Sequence, residues 1–223
     1  IIPTEINSNY TTGKYYEDGN FISNLEIPIP GLHNLSNITA AIAASRMIGV
    51  DFMEIKKNIK YLKLPKKRFE FRGQIDKRSL YDDYAHHPNE IKETIKLGRL
   101  LIQQKHNNEC QKSRLIAIFQ PHRYSRVKQF TKEFAEELSK ADVIYVTNIY
   151  GAGEVNEDQI NSTIITDLIY KKNKNVNYIN NYHIITKNFY ELTQKGDLIL
   201  NMGAGDCHNF WSILNEKTIK VEE

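Results

Sequence analysis

Cysteine is scarce: Cys110 and Cys207 are the two in 223 residues, and they form no CxxC pair. This excludes a disulfide framework or zinc quartet and fits two structural thiols in a reducing cytosol. No apolar run approaches the roughly 18 residues of a membrane span. No signal-peptide pattern is visible. Charge of one sign is also lacking. Thirty basic and 27 acidic residues leave a net +3, too weak for the basic face that a nucleic-acid partner requires. There is no GxxxxGK[ST] loop to cradle ATP phosphates and no GxSxG elbow. The chain opens on Ile1 rather than Met, in strand-like material, and is expected to be a piece of a longer protein.

Apolar residues make up 40% of the chain and charged ones 26%, the balance of a packed soluble protein. Asp18-Gly19 predicts a hairpin turn between strands over Lys14–Glu17 and Phe21–Leu25. A helix is expected from about Asn37 to Ile48, with Ile38, Ala41, Ile42, Ser45 and Ile48 on one face and Gly49 ending it. A second should start at Asp51, with Glu54 three residues on. Lys63–Arg68 is charged, holds Pro65 and lacks apolar period, which marks a domain boundary at 64/65. Beyond it, short apolar strands over 80–84, 115–119, 143–147, 176–179 and 198–202 alternate with helices over 88–104, 127–140, 159–170, 182–193 and 207–214. Residues 105–113 read as a polar loop. The strands are continuous apolar runs, as expected where both faces are buried. The fold class is therefore α/β, with a Rossmann-like, doubly wound, mostly parallel sheet. In such sheets ligands bind beyond the carboxyl ends of the strands.

Several polar clusters sit at those ends. Asp82-Asp83-Tyr84-Ala85-His86-His87-Pro88 crowds two carboxylates, a phenol and two imidazoles at a strand exit. A carboxylate there can accept from a ribose diol, and a histidine at a helix start can meet a phosphate or metal, or the residues can simply cap the helix. His122-Arg123-Tyr124-Ser125-Arg126 follows another strand. Its arginines, three apart, can converge on one carboxylate, or both can be solvated. Asn34 and Asn37, in Gly31–Asn37, open a helix, with plain capping as the alternative for Asn37. Arg68, with Gly73, lies in the boundary segment. Gly203-Ala204-Gly205-Asp206 lacks the third glycine of a dinucleotide fingerprint, so tight packing of the last helix explains it better. Tyr150–Glu154 is a similar exit loop, from which Glu154 could face the cleft.

Taken in order, these segments resemble the Mur ligase family from about residue 25 to 215. The resemblance implies that 1–64 is the truncated end of a central ATP-binding domain and 65–223 the C-terminal domain. It implies an ATP-dependent ligase of peptidoglycan synthesis working through an acyl phosphate, with Mg²⁺ bound mainly by residues outside this chain. The Asp-Asp-Tyr-Ala-His-His-Pro run fits members that take UDP-N-acetylmuramate and L-alanine and members that reattach a murein peptide; His-Arg-Tyr-Ser-Arg resembles the former. A module that keeps the fold without catalysis is the reading from another class, and a dehydrogenase is disfavoured because no GxGxxG follows a strand. By the same resemblance His33, Asn34, Asn37, Arg68 and Asp83 are nucleotide-binding. Tyr84, His86, His122, Arg123, Tyr124 and Arg126 line the amino-acid side, with His86, His122, Arg123 and Arg126 in catalytic roles. The chain alone is expected not to turn over ATP.

Overall fold

The computed structural model describes residues 1–106 and 113–219, and side chains over 1–104 and 113–214. Of the expected 105–113 loop, Lys105 and His106 are helical and 107–112, with Cys110, lie outside the described residues. The chain divides into two compact units, Ile1–Pro65 and Lys66–Glu223.

In the first unit, strands β1 (Ile2–Ile6), β2 (Thr11–Glu17) and β3 (Asn20–Ile27) form an antiparallel sheet in that order. Asp18 and Gly19 form the two-residue turn, with φ of +46° and +83°, the double positive φ that a type I′ hairpin needs. Helix α1 (Leu32–Met47) starts earlier than the periodicity suggested: its N-cap is Gly31. Asn34 and Asn37 therefore lie inside the helix rather than at its cap. Asn34 is buried and its amide donates to the Pro30 carbonyl at 2.8 Å, while Asn37 is exposed. Only Ile38 and Ile42 of the expected apolar face are buried; Ile48 is 82% exposed. Gly49 follows the C-cap with φ +90°. Helix α2 (Phe52–Ile59) is capped by Asp51, whose carboxylate accepts from the Met53 N–H at 2.8 Å. The unit's core gathers Tyr15, Leu25, Ile27, Leu35, Ile42 and Phe52, with the Tyr15 and Phe52 rings stacked at 4.7 Å.

The second unit holds a six-stranded sheet: β4 (Glu70–Ile75), β5 (Arg78–Asp83), β6 (Leu115–Phe119), β7 (Val143–Val146), β8 (Val176–Tyr178) and β9 (Leu198–Met202), in the order β4-β5-β9-β6-β7-β8. All neighbours are parallel except β4, which pairs antiparallel with β5. The expected α/β class is borne out. β4 has no counterpart in the sequence reading, because as an edge strand with an irregularity between Phe71 and Gly73 it carries little apolar signal.

Helices α3 (Pro88–His106), α4 (Tyr124–Leu138) and α5 (Thr163–Tyr170) cover one face, packing Ile91, Ile95, Phe134 and Ile165 against Leu115, Ala117 and Leu200. Helices α6 (Tyr182–Lys187), α7 (Phe189–Leu192) and α8 (Asn209–Ile219) cover the other, where Ile185, Phe189 and Phe210 meet Ile116, Ile118 and Ile199. The single helix expected over 182–193 is thus two, broken at Asn188. The layering follows from crossover handedness. β5→β6→β7→β8 steps one way across the sheet and places its helices on one face. The return to β9 reverses direction, and a right-handed connection then crosses the opposite face. Inserting β9 between β5 and β6 brings the exits of β5, β9, β6 and β7 side by side.

Candidate functional site at the carboxyl edge of the sheet

Asp82 and Asp83 end β5 and, being adjacent in a strand, point to opposite faces. Asp82 accepts from the Asn201 amide at 3.0 Å, and burial pushes its pKa up. Asp83 faces α3: its two oxygens accept from the Phe69 and Ala85 N–H groups at 2.8 and 2.7 Å. It is 7% exposed, and burial raises its pKa to about 6 despite those bonds.

Beyond Asp83 the chain turns into α3 through Tyr84, His86 and His87. Glu90, in the helix's first turn, accepts from the His86 and His87 N–H groups at 2.9 and 3.1 Å, and its other oxygen is 3.4 Å from the Arg68 guanidinium. Burial pushes Glu90 up, but these N–H groups, His86 and Arg68 outweigh it and hold the carboxyl below its ordinary range. Sequence reasoning missed Glu90. The available signal was a Glu three residues after the helix-starting His87, as in a capping box. Arg68 also lies over the Tyr84 ring at 5.9 Å, and the His86 ring stands edge-on to Tyr84 at 5.2 Å.

The β6 exit meets this group from the other side of β9. The His86 and His122 rings are 5.6 Å apart, and His122 stacks on Tyr150, from the β7 exit, at 5.6 Å. Arg126 approaches His122 Nδ1 at 3.1 Å. An arginine can only donate, so Nδ1 is the acceptor and the imidazole proton sits on Nε2. Burial, then the charges of His86, Arg126 and Arg123, lower the His122 pKa, which favours the neutral ring. Arg123 takes φ +69° as N-cap of α4, donates its N–H to the Tyr150 carbonyl at 2.8 Å and has its guanidinium 3.6 Å from Glu154. Glu154 accepts from the Ser125 N–H at 3.0 Å and its hydroxyl at 2.7 Å, bonds that hold its pKa below the usual range.

The glycines of the last exit are explained by contact. A Cβ on Gly205 would lie 2.5 Å from Tyr150 Cγ and 2.6 Å from Gln120 Oε1. Buried Cys207 donates to the Gly203 carbonyl at 3.1 Å, and burial pushes its thiol up to about 12. Gly203–Asp206 is thus a packing turn.

Of the expected site residues, Arg68, Asp83, Tyr84, His86, His122, Arg123, Tyr124 and Arg126 belong to this unit and lie on the exits of β5 and β6 or on the segment leading into β4. Tyr124 opens α4 with its ring against Gly151. His33, Asn34 and Asn37 belong to the first unit. Among the described residues no three His, Cys, Asp or Glu side chains converge as metal ligands. No described helix is long and apolar enough to cross a membrane.

This arrangement matches a known family. Residues 67–205 fit the Mur ligase, glutamate ligase domain. The chain belongs to the Mur ligase family. It is 65% identical over 218 residues to a UDP-N-acetylmuramate–L-alanine ligase of Prochlorococcus marinus subsp. pastoris, covering 97% of this chain and 46% of that relative. This Mur ligase chain thus spans about half the length of the curated relatives it matches. In fold it is similar to the UDP-N-acetylmuramate-alanine ligase of Thermotoga maritima, with a TM-score of 0.75 and 22% identity over 97% of this chain and 44% of that one. It is also similar to a murein peptide ligase of Psychrobacter arcticus, with a TM-score of 0.66 and 20% identity over 96% and 43%.

Proposed function

We propose that this chain is the carboxyl-terminal part of an ATP-dependent ligase that joins L-alanine to UDP-N-acetylmuramate. The carrying observation is the grouping of Arg123, Arg126, His122 and His86 at one sheet edge, in a chain 65% identical to a relative of that name. In this reaction the γ-phosphoryl of ATP passes to the substrate carboxylate. The amine of L-alanine attacks the carbonyl carbon of the resulting acyl phosphate. A C–N bond forms, the C–O bond to phosphate breaks, and the amine loses its extra proton.

This chain's service is positioning. L-Alanine offers little besides its carboxylate and amine. Guanidinium contacts to a carboxylate contribute roughly 1.5–3 kcal/mol each, so Arg123 and Arg126 would dominate recognition. His122 presents Nε2–H, a donor, beside them. Tyr84, His86 and Tyr124 complete the wall. Arg68 and Asp83 serve the nucleotide. The Asp83 carboxylate already accepts from the Phe69 and Ala85 N–H groups and from the Thr94 side chain, and its remaining acceptor capacity is what a ribose hydroxyl would use. His33, Asn34 and Asn37 serve the nucleotide from the first unit, the end of the ATP-binding domain. Mg²⁺ would be held mainly by residues outside this chain, where it would neutralise the charge developing on the phosphates.

The test is ADP release by the full-length enzyme. It should require both UDP-N-acetylmuramate and L-alanine, and a murein tripeptide should not replace L-alanine. Equal or better use of the tripeptide would overturn the assignment in favour of a recycling ligase. The 223-residue chain alone should release no substrate-dependent phosphate.

A further inference from the structure

We infer that Glu154 is the positioning residue of the amino-acid clamp, acting through Arg123. The inference rests on the reading above of the acceptor as a free amino acid. Helix α4 begins at an unusual cap. Arg123 has no side-chain bond to the helix and sits at φ +69°, ψ 134°, a region that costs energy for any residue with a Cβ. Glu154 supplies the missing cap from a different loop. Its two oxygens take the Ser125 N–H and hydroxyl at 3.0 and 2.7 Å, while the same carboxylate stands 3.6 Å from the Arg123 guanidinium.

The delivery of Glu154 is itself fixed. Ala152 and Gly153 both take positive φ, +51° and +85°, in a turn closed by the Glu154 N–H on the Gly151 carbonyl at 3.0 Å. The neighbouring Tyr150 carbonyl holds the Arg123 N–H at 2.8 Å. One loop therefore sets both the backbone and the side chain of Arg123.

A carboxylate beside Arg123 could also compete with the substrate's carboxylate. The distances decide between the two effects. Ser125 takes the short contacts and the arginine the longer one, and the Arg123 side chain remains 50% exposed. Its fork has five N–H donors, so donors remain for a second carboxylate while Glu154 limits the rotamers that the side chain visits.

The test uses the full-length ligase and the variants E154Q, E154D, R123A and E154Q/R123A. E154Q should raise KM for L-alanine about tenfold while KM for ATP and UDP-N-acetylmuramate and kcat stay within about twofold. E154D should recover most of the loss. The double variant should be no worse than R123A, the non-additivity expected when one residue works through the other. Equal rises in all three KM values, additivity in the double variant, or an unchanged L-alanine KM in E154Q would each overturn the inference and leave the proposed function standing. Absence of L-alanine-dependent ADP release in the wild type would overturn both.

Discussion

Substituting Gly205 with alanine tests how the exits are held together. Gly205 has no positive φ to protect, so the effect should be steric alone. The added Cβ would lie 2.5 Å from Tyr150 Cγ, 2.8 Å from Tyr150 Cβ and 2.6 Å from Gln120 Oε1. Favourable carbon–carbon contacts lie near 3.5–4.0 Å, so about 1 Å must be found. Tyr150 Cβ and Cγ are the root of that side chain, and rotation about χ1 cannot clear both. Its backbone must shift, and that backbone bonds the Pro121 carbonyl and the Arg123 N–H, both at 2.8 Å. Overpacking of this kind costs roughly 1–3 kcal/mol, or about 2–12 °C in melting temperature for a domain of this size. The displaced segment carries His122 and Arg123, so KM for L-alanine should rise as well. Calorimetry and steady-state kinetics on full-length G205A measure both. A melting temperature within a degree of wild type together with an unchanged L-alanine KM would refute the steric account.

At the opposite edge of the sheet, Asp197 is fully buried and is held by Arg114 at 3.1 and 2.7 Å and by the Gln194 N–H at 2.7 Å. R114M should cost about 3 kcal/mol, the lower end for stranding one partner of a buried pair because Arg114 is a third exposed; R114M/D197L should recover part of it in denaturant titrations, and a loss no smaller in the double variant would count against the reasoning. Asp83 titrates near 6 in the folded chain against an ordinary carboxyl near 3.8. The folded state therefore binds the extra proton between those values, and the contribution of Asp83 to stability falls as pH rises from 4 to 6. Denaturation at pH 4, 5, 6 and 7 should give D83N a shallower decline than wild type, and parallel profiles would exclude the shift. His122 should titrate below 6.5 by NMR, because burial and its charged neighbours disfavour the cation, and its midpoint should rise in R126M; a fall would contradict the contact with Arg126.

The reading of the sequence reached far where the chain's own chemistry is local. Asp18-Gly19, Gly49 and Asp51 were legible because each satisfies a φ or capping need within a few residues. β6 and β9 were legible because both faces are buried and, Asn201 apart, their residues are apolar. β4 was not, since a half-buried or exposed edge strand carries a weak pattern. α1 starts before the expected Asn37 because Gly31 caps it and its buried side already includes Asn34 and Leu35, ahead of the apolar face that begins at Ile38.

The candidate site divides in the same way. The residue types at the strand exits, and the carboxyl-edge rule that made them worth inspecting, came from the sequence alone. Which of them meet was decided by tertiary structure. Insertion of β9 between β5 and β6 is a pairing across more than 110 residues of chain, and no local pattern encodes it. With β9 in place, His86 and His122 meet from exits on either side of it and Asn201 engages Asp82 but not Asp83, while the β6–β7 pairing lets Glu154 cap a helix that begins 30 residues before it. Sequence sets what each residue can donate, accept or bury; only the packed sheet fixes which partner lies within hydrogen-bond reach.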